Sequence, residues 1–131
     1  MSKKVAIIAS NGSLFDAYKV FNIATAAAAS EAEVEIFFTF DGLNLIHKEA
    51  YKNLSVPEGR EHLVEAFKEQ NTPTIPELVA MSQELGIKFI ACQLTMDVMG
   101  LEIDEFVAGT EVAGAASFVH YATKADMSLT F

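Results

Sequence analysis

The lone cysteine, Cys92, closes the apolar run Ile87 to Cys92 and directly precedes Gln93-Leu94-Thr95-Met96-Asp97, which reads as the opening of a short helix. At such a strand-to-helix junction, backbone N–H groups and the helix dipole favour thiolate, the nucleophilic form of the side chain. A thiolate there can accept a sulfur atom. The competing reading is a small buried hydrophobe, and no His, Lys or Arg flanks the cysteine closely in sequence. Met96 and Met99 lie on either side of Asp97 at helical spacing, either as core filler or as an apolar cover above the thiol. A cover would keep water from a persulfide while opposing thiolate formation by desolvation. Asp97 has the same two readings: beside the thiol it raises the thiol pKa, and pointing outward it satisfies the helix dipole.

In sheets built of parallel strands, ligands gather at the carboxyl ends, which singles out Ser10, Asn11, Gly12, Ser13, Asp41, Gly42, Gln93 and Thr95. The turn after the first apolar run lacks both GxGxxG and a P-loop lysine. Phosphate binding there has only the generic support of a helix start, against the plainer reading that Asn11 shapes a turn and Ser13 caps a helix. His47, His62 and His120 show no HxH or HxxxH spacing, so neither a metal site nor a cofactor is expected. His62 and His120 read as solvated, and His47 lies in an undecided segment. With one cysteine the chain cannot form an internal disulfide, so a persulfide on Cys92 would have to be resolved by another molecule or subunit.

The elements that must position these residues alternate. Val5 to Ala9 reads as a strand buried on both faces, and the positions Leu14, Ala17, Tyr18, Phe21, Ala24, Thr25 and Ala28 as the inner face of a helix. Glu33 to Phe40 reads as a second strand ended by Asp41-Gly42. Residues 42–72 read as loop with short helical pieces. Thr74 and Glu77 form a capping-box pattern, with Pro76 in the first turn and Gly86 closing the helix, whose inward stripe is Ile75, Leu78, Val79, Ser82 and Leu85. Ile87 to Cys92 is the third strand, and Thr95 is placed to cap a short helix ending near Gly100. A short helix over Ile103 to Val107 and an extended piece at Val112 follow. A helix with Ala115, Phe118, Val119, Ala122 and Ala125 on one face, then a strand from Met127 to Phe131, complete the pattern. The expected fold class is α/β, a three-layer flavodoxin-like sandwich with a mostly parallel sheet of four or five strands, in one domain over residues 1–131.

Composition narrows the function classes. Eighteen acidic against nine basic side chains give a net charge of −9, which argues against nucleic acid. No apolar stretch approaches the roughly 20 residues of a spanning helix, so no membrane association is expected. The start, Met1-Ser2-Lys3-Lys4, is read as mature and cytoplasmic, and one free thiol suits a reducing compartment. An apolar fraction of 51% points to apolar surface that meets another subunit, so a homo-oligomer is expected.

The run Ala91-Cys92-Gln93-Leu94-Thr95-Met96-Asp97-Val98-Met99-Gly100, followed by Gly109-Thr110-Glu111-Val112-Ala113-Gly114-Ala115-Ala116, resembles the DsrE/DsrF/DrsH-like family, and in particular its DsrE2 branch. Lys4 to Gly12 and the strand ending Phe37-Phe38-Thr39-Phe40-Asp41-Gly42 fit the same pattern. The resemblance implies a cytoplasmic sulfur-relay protein in which Cys92 carries sulfane sulfur as a persulfide. Rhodanese-type sulfurtransferases or TusA-like carriers would be its partners, without metal or organic cofactor. It gives Asn11, Gly12, Asp97 and Met99 no assigned chemical role. Two readings from other classes stand beside it. One is a non-catalytic regulatory module binding a nucleotide or other small molecule at the strand ends. The other is a structural subunit of a sulfur-handling complex.

Overall fold

The structure, a computed structural model, describes residues 2–131. Five strands form one parallel sheet in the order β4-β3-β2-β1-β5. This is the α/β sandwich expected, with every strand parallel.

β1 (Lys4–Ala9) is followed by α1 (Leu14–Ala29). Ser13 starts that helix with a capping box: its hydroxyl accepts the Asp16 N–H, and the Asp16 carboxylate accepts the Ser13 N–H. β2 is Glu33–Phe38 and ends two residues earlier than expected. Phe40 takes a left-handed backbone, φ 49°, and turns the chain into a 3-10 segment, Phe40–Leu45. The undecided stretch holds a second 3-10 turn, Ala50–Lys52, and α2 (His62–Glu69), none of whose residues is buried.

α3 (Ile75–Glu84) begins with the Thr74/Glu77 box and ends at Gly86, φ 79°. Leu85 belongs to the capping turn, not to the helical stripe, and is 44% exposed. β3 (Lys88–Cys92) runs straight into α4 (Gln93–Met99), so Cys92 itself holds the cap position. Thr95 therefore does not cap α4: it lies inside the first turn with its hydroxyl turned inward. A 3-10 turn, Ile103–Glu105, leads to β4 (Glu111–Ala113), α5 (Ala115–Ala122) and β5 (Met127–Thr130). On α5 only Phe118 is buried, while Ala115 is exposed and Val119 is 55% exposed. The broad apolar face read from the sequence shrinks because, among the described residues, no other helix contributes a side chain to the cluster beneath α5.

The topology explains the two faces. From β1 to β4 the chain steps one strand at a time in one direction, and right-handed crossovers keep those connections on one face. There α1, α3 and Met96 of α4 pack with Ile7, Ile36, Phe38 and Phe89 into the main core. The last connection returns across the whole sheet, which sends α5 to the opposite face. A smaller cluster forms there from Ala6, Phe37, Ile90, Cys92 and Phe118.

Candidate functional site

The connections leaving β3 and β4 depart to opposite faces, a topological switch that opens ligand crevices at the carboxyl ends of such sheets. Cys92 is the β3 residue at that point, paired with Ala113 of β4. On its other side the register Phe38↔Ala91, continued by one residue, sets Thr39 beside Cys92, and the Thr39 N–H still bonds Ala9 across the sheet at 3.0 Å. Strand alternation turns Cys92 toward α5 and its neighbour Ala91 toward the main core.

Cys92 is a free thiol, 5% exposed, packed in the small cluster with Phe37, Ile90 and Phe118. Thr95, 2% exposed, stands over it from α4; its Oγ1 lies 3.2 Å from Thr39 Oγ1 and accepts the Phe40 N–H at 3.1 Å. Burial is the largest single influence on the thiol and pushes its pKa up. The Thr95 hydroxyl and N–H, the Thr39 hydroxyl and the Leu94 N–H together outweigh it, so the pKa lies below that of an ordinary thiol. No charged side chain takes part. The sulfur is thus tuned by neutral donors, which stabilise the anion without fixing a counter-charge beside it.

The other residues singled out in the sequence separate into three places. Asn11, Gly12 and Asp41 line a polar hollow of about 340 Å³ with Ser13, Asp16, Asn44 and Ser55. Gly42 is buried because its Cα lies against the Ala9 carbonyl, where a Cβ would collide with the β1 backbone. Gln93, Met96 and Asp97 line a second hollow of about 380 Å³ toward Val112. Neither hollow includes Cys92. Gln93 donates to Asp97 at 2.8 Å on the exposed side of α4, so this carboxylate is held away from the thiol. Met96 is in the main core, Met99 is half exposed, and neither belongs to the cluster around the sulfur. The apolar cover of the thiol comes from Phe37, Ile90 and Phe118 instead. His47 does not reach the strand ends: its Nδ1 accepts the N–H groups of Glu49 and Ala50, and its Nε2 faces Glu105 at 3.4 Å.

The pattern of the DsrE/DsrF/DrsH-like family matches residues 1–64 and 57–130, which together span almost the whole chain. The chain belongs to the DsrE/DsrF/DrsH-like family. It is similar to "Sulfur carrier protein DsrE2" of Allochromatium vinosum, 34% identical with 97% of each chain covered. It is also similar to the uncharacterized protein YrkE of Bacillus subtilis, 29% identical over 98% of this chain and 96% of that one. Among solved structures, the YchN protein of E. coli superposes with a TM-score of 0.73 over the full length of both chains at 16% identity, a likeness of fold.

Within this family member, Thr39, Phe40 and Leu94 are the site residues that sequence reading did not single out. Leu94 acts through its backbone and carries no sequence signal. Thr39 had one: it is the last residue of the Phe-Phe-Thr run before Asp41-Gly42, and parallel pairing of β2 with β3 brings it level with Cys92.

Proposed function

We propose that the protein carries sulfane sulfur as a persulfide on Cys92 and exchanges it with partner sulfurtransferases or small carrier proteins. The observation that carries this reading is a buried free thiol at the switch point of the sheet, at the cap position of α4 and level with Thr39 of the neighbouring strand. The relative from Allochromatium vinosum, named a sulfur carrier, supports it. In loading, the Cys92 thiolate attacks the outer sulfur of a donor persulfide, the new S–S bond forms, and the donor's inner sulfur leaves as a thiolate. In unloading, an acceptor thiolate attacks the outer sulfur and Cys92 leaves as thiolate. Sulfur moves without net oxidation, and no metal or organic cofactor is required.

Rhodanese-type or TusA-like proteins have the chemistry of suitable partners. The exposed apolar side chains Phe40, Leu94, Val98 and Met99, on the elements that frame the thiol, support a docking face there and a homo-oligomeric assembly.

Intact-protein mass spectrometry after brief exposure to polysulfide tests the proposal. The native chain is expected to gain sulfur reversibly, with loss on thiol reductant, while Cys92→Ser gains none. Absence of any gain, where a known persulfide carrier loads under the same conditions, overturns the reading in favour of a ligand-binding or structural role.

A further inference from the structure

The sequence of α2 places Leu63, Val64 and Phe67 on one side of the helix and Glu65, Lys68 and Glu69 toward the other, an amphipathic pattern that calls for a buried stripe. The fold does not bury it: no residue of α2 is buried. Its aromatic contact with the body of the protein is a single ring. Phe67 stacks on Tyr18 of α1 at 4.5 Å and tilts against Phe15 at 5.9 Å, while the Arg60 guanidinium lies over the Phe15 ring at 5.4 Å. Around that contact lie three hollows of about 350, 440 and 490 Å³, each lined by both Phe67 and Tyr18. Protein interiors hold few voids larger than a water molecule, whereas sites for small molecules run from about 300 to 1,000 Å³.

The 440 Å³ hollow draws its walls from several separate parts of the chain: Tyr18 of α1, Tyr51 in the second 3-10 turn, Leu54 just after it, Val64 and Phe67 of α2, and Ile75 at the start of α3. Ile75 is buried and belongs to the main core, so one wall is fixed. Three rings supply flat apolar faces. The charges are one-sided: Lys52 and Lys68 line the hollow and, among the described residues, no carboxylate does, in a chain with 18 acidic against 9 basic side chains. Lys52 pairs with Glu49 at 3.8 Å and Lys68 with Glu65 at 3.6 Å, but all four side chains are exposed, and surface pairs of this kind are weak enough to yield to another anion. An apolar enclosure with a few polar groups of one sign at its edge is the arrangement that selects an amphipathic ligand.

We propose that this hollow is a binding site for a small carboxylic acid with an apolar body, the body lying against Tyr18, Tyr51 and Phe67 and the carboxylate meeting Lys52 and Lys68. The two neighbouring hollows are less suited to an anion. Arg60 in one is already placed over Phe15, and Lys19, which lines both, is paired at 3.7 Å with Asp16 of its own helix. The ligand supplies what α2 lacks: its body covers Val64 and Phe67 and gives the helix stripe a partner, so binding stabilises the packing of α2 on α1. The site is separate from the thiol. Cys92 lines none of the three hollows, and sulfur chemistry plays no part in the proposal.

The test is titration of the whole chain with phenylbutyrate, phenylbutanol and phenylbutylamine, three probes with one apolar body and a negative, a neutral and a positive end, followed through the amide chemical shifts. Phenylbutyrate should give saturable shifts at residues 51–56 and 64–68, with the alcohol about tenfold weaker and the amine weaker still, as loss and then reversal of two partly screened charge contacts implies. Replacing both lysines, Lys52→Gln with Lys68→Gln, should bring phenylbutyrate down to the affinity of the alcohol and leave the alcohol unchanged. Val64→Glu, on a helix with no buried residue and therefore tolerated by the fold, sets a carboxylate in the wall and should abolish binding of the acid. Amide shifts that stay native away from the hollow show that both variants fold. Equal affinities for the three probes, phenylbutyrate binding undiminished in either variant, saturable shifts confined to Leu63 or Met81 of the neighbouring hollows, or no saturable shift at millimolar concentration each overturn the proposal.

Discussion

On one face of the sheet, α1 and α3 bury Phe21, Phe38 and Phe89, whose rings meet one another at centroid distances of 5.4–6.2 Å. On the other face one eight-residue helix crosses Ala6, Phe37 and Ile90, and of its own residues only Phe118 is buried, stacked on Phe37 at 5.0 Å. β3 belongs to both. Its Phe89 and Ala91 side chains point into the thick face and hold the strand, while Ile90 and Cys92 point under the thin one. The difference teaches how one short strand can fix a thiol by its backbone while placing it on the lightly covered face. The backbone is anchored by the better core, and local opening over the side chain is expected to cost only part of the global stability.

That comparison breaks most visibly by deleting one ring from each face. Phe38→Ala should destabilise the fold by about 3–5 kcal/mol, the range for a fully buried aromatic whose neighbours cannot collapse into the cavity. Phe118→Ala should cost less, about 2 kcal/mol, because a helix packed on one side can settle into the space. Urea denaturation followed by circular dichroism measures both. Equal losses would show that the second face is as tightly built as the first.

The same pair separates stability from access. Phe118→Ala removes part of the cover from Cys92 and should speed its alkylation in the folded protein by about tenfold, as a local-opening barrier lowered by roughly 1.4 kcal/mol implies. Phe38→Ala should speed alkylation only in step with global unfolding, and therefore with the full denaturant dependence of the urea transition. A Phe118→Ala rate that followed that same dependence would mean that the thiol is reached only by unfolding the chain.

Much of the thick face was legible in the sequence because its signals are local and periodic. The Thr74 box, Ser13 as a helix cap, the α1 stripe and the alternation of strands with helices follow from spacing alone, while the Asp16 half of the Ser13 box emerged only in the structure. The thin face was misread at Val119 and Ala115, since a helical stripe reports which residues share a side and not whether a second helix closes that side. Cys92 was legible as a thiol at a strand end. Its surroundings were not: Met96 and Met99 could be read as core filler or as a cover above it, and the groups that tune it include the Thr39 hydroxyl, more than fifty residues away. A strand register, invisible in composition, brings them together.

The smallest expected effect lies at the far end of the thin face. Tyr121 directs its hydroxyl to the carbonyls of Glu33 at 3.3 Å and Val5 at 3.5 Å, while the Lys4 ammonium lies over its ring. Burial, then the nearby Glu33 carboxylate, pushes its pKa above the ordinary tyrosine value of 10.0. The folded protein therefore keeps a proton that the unfolded chain gives up, and this contribution to stability is whole below pH 10 and falls as pH rises beyond it. Tyr18 is raised as well, chiefly by burial, so alkaline loss of stability has two sources, one on each face. Cys92 acts in the opposite sense: its lowered pKa adds stability as pH rises toward the unfolded thiol value of 9.0, and the end of that gain overlaps the start of tyrosine titration. Tyr121→Phe should thus cost under about 1 kcal/mol at neutral pH, the loss of two long hydrogen bonds. Its stability curve should then fall less steeply than that of the native chain above pH 10. Urea titrations at a series of pH values read the difference directly, because Tyr18 and Cys92 contribute equally to both proteins and cancel. Parallel curves would show that α5 no longer holds Tyr121 against the sheet at alkaline pH, and that the cover over the thin face opens before its tyrosine ionises.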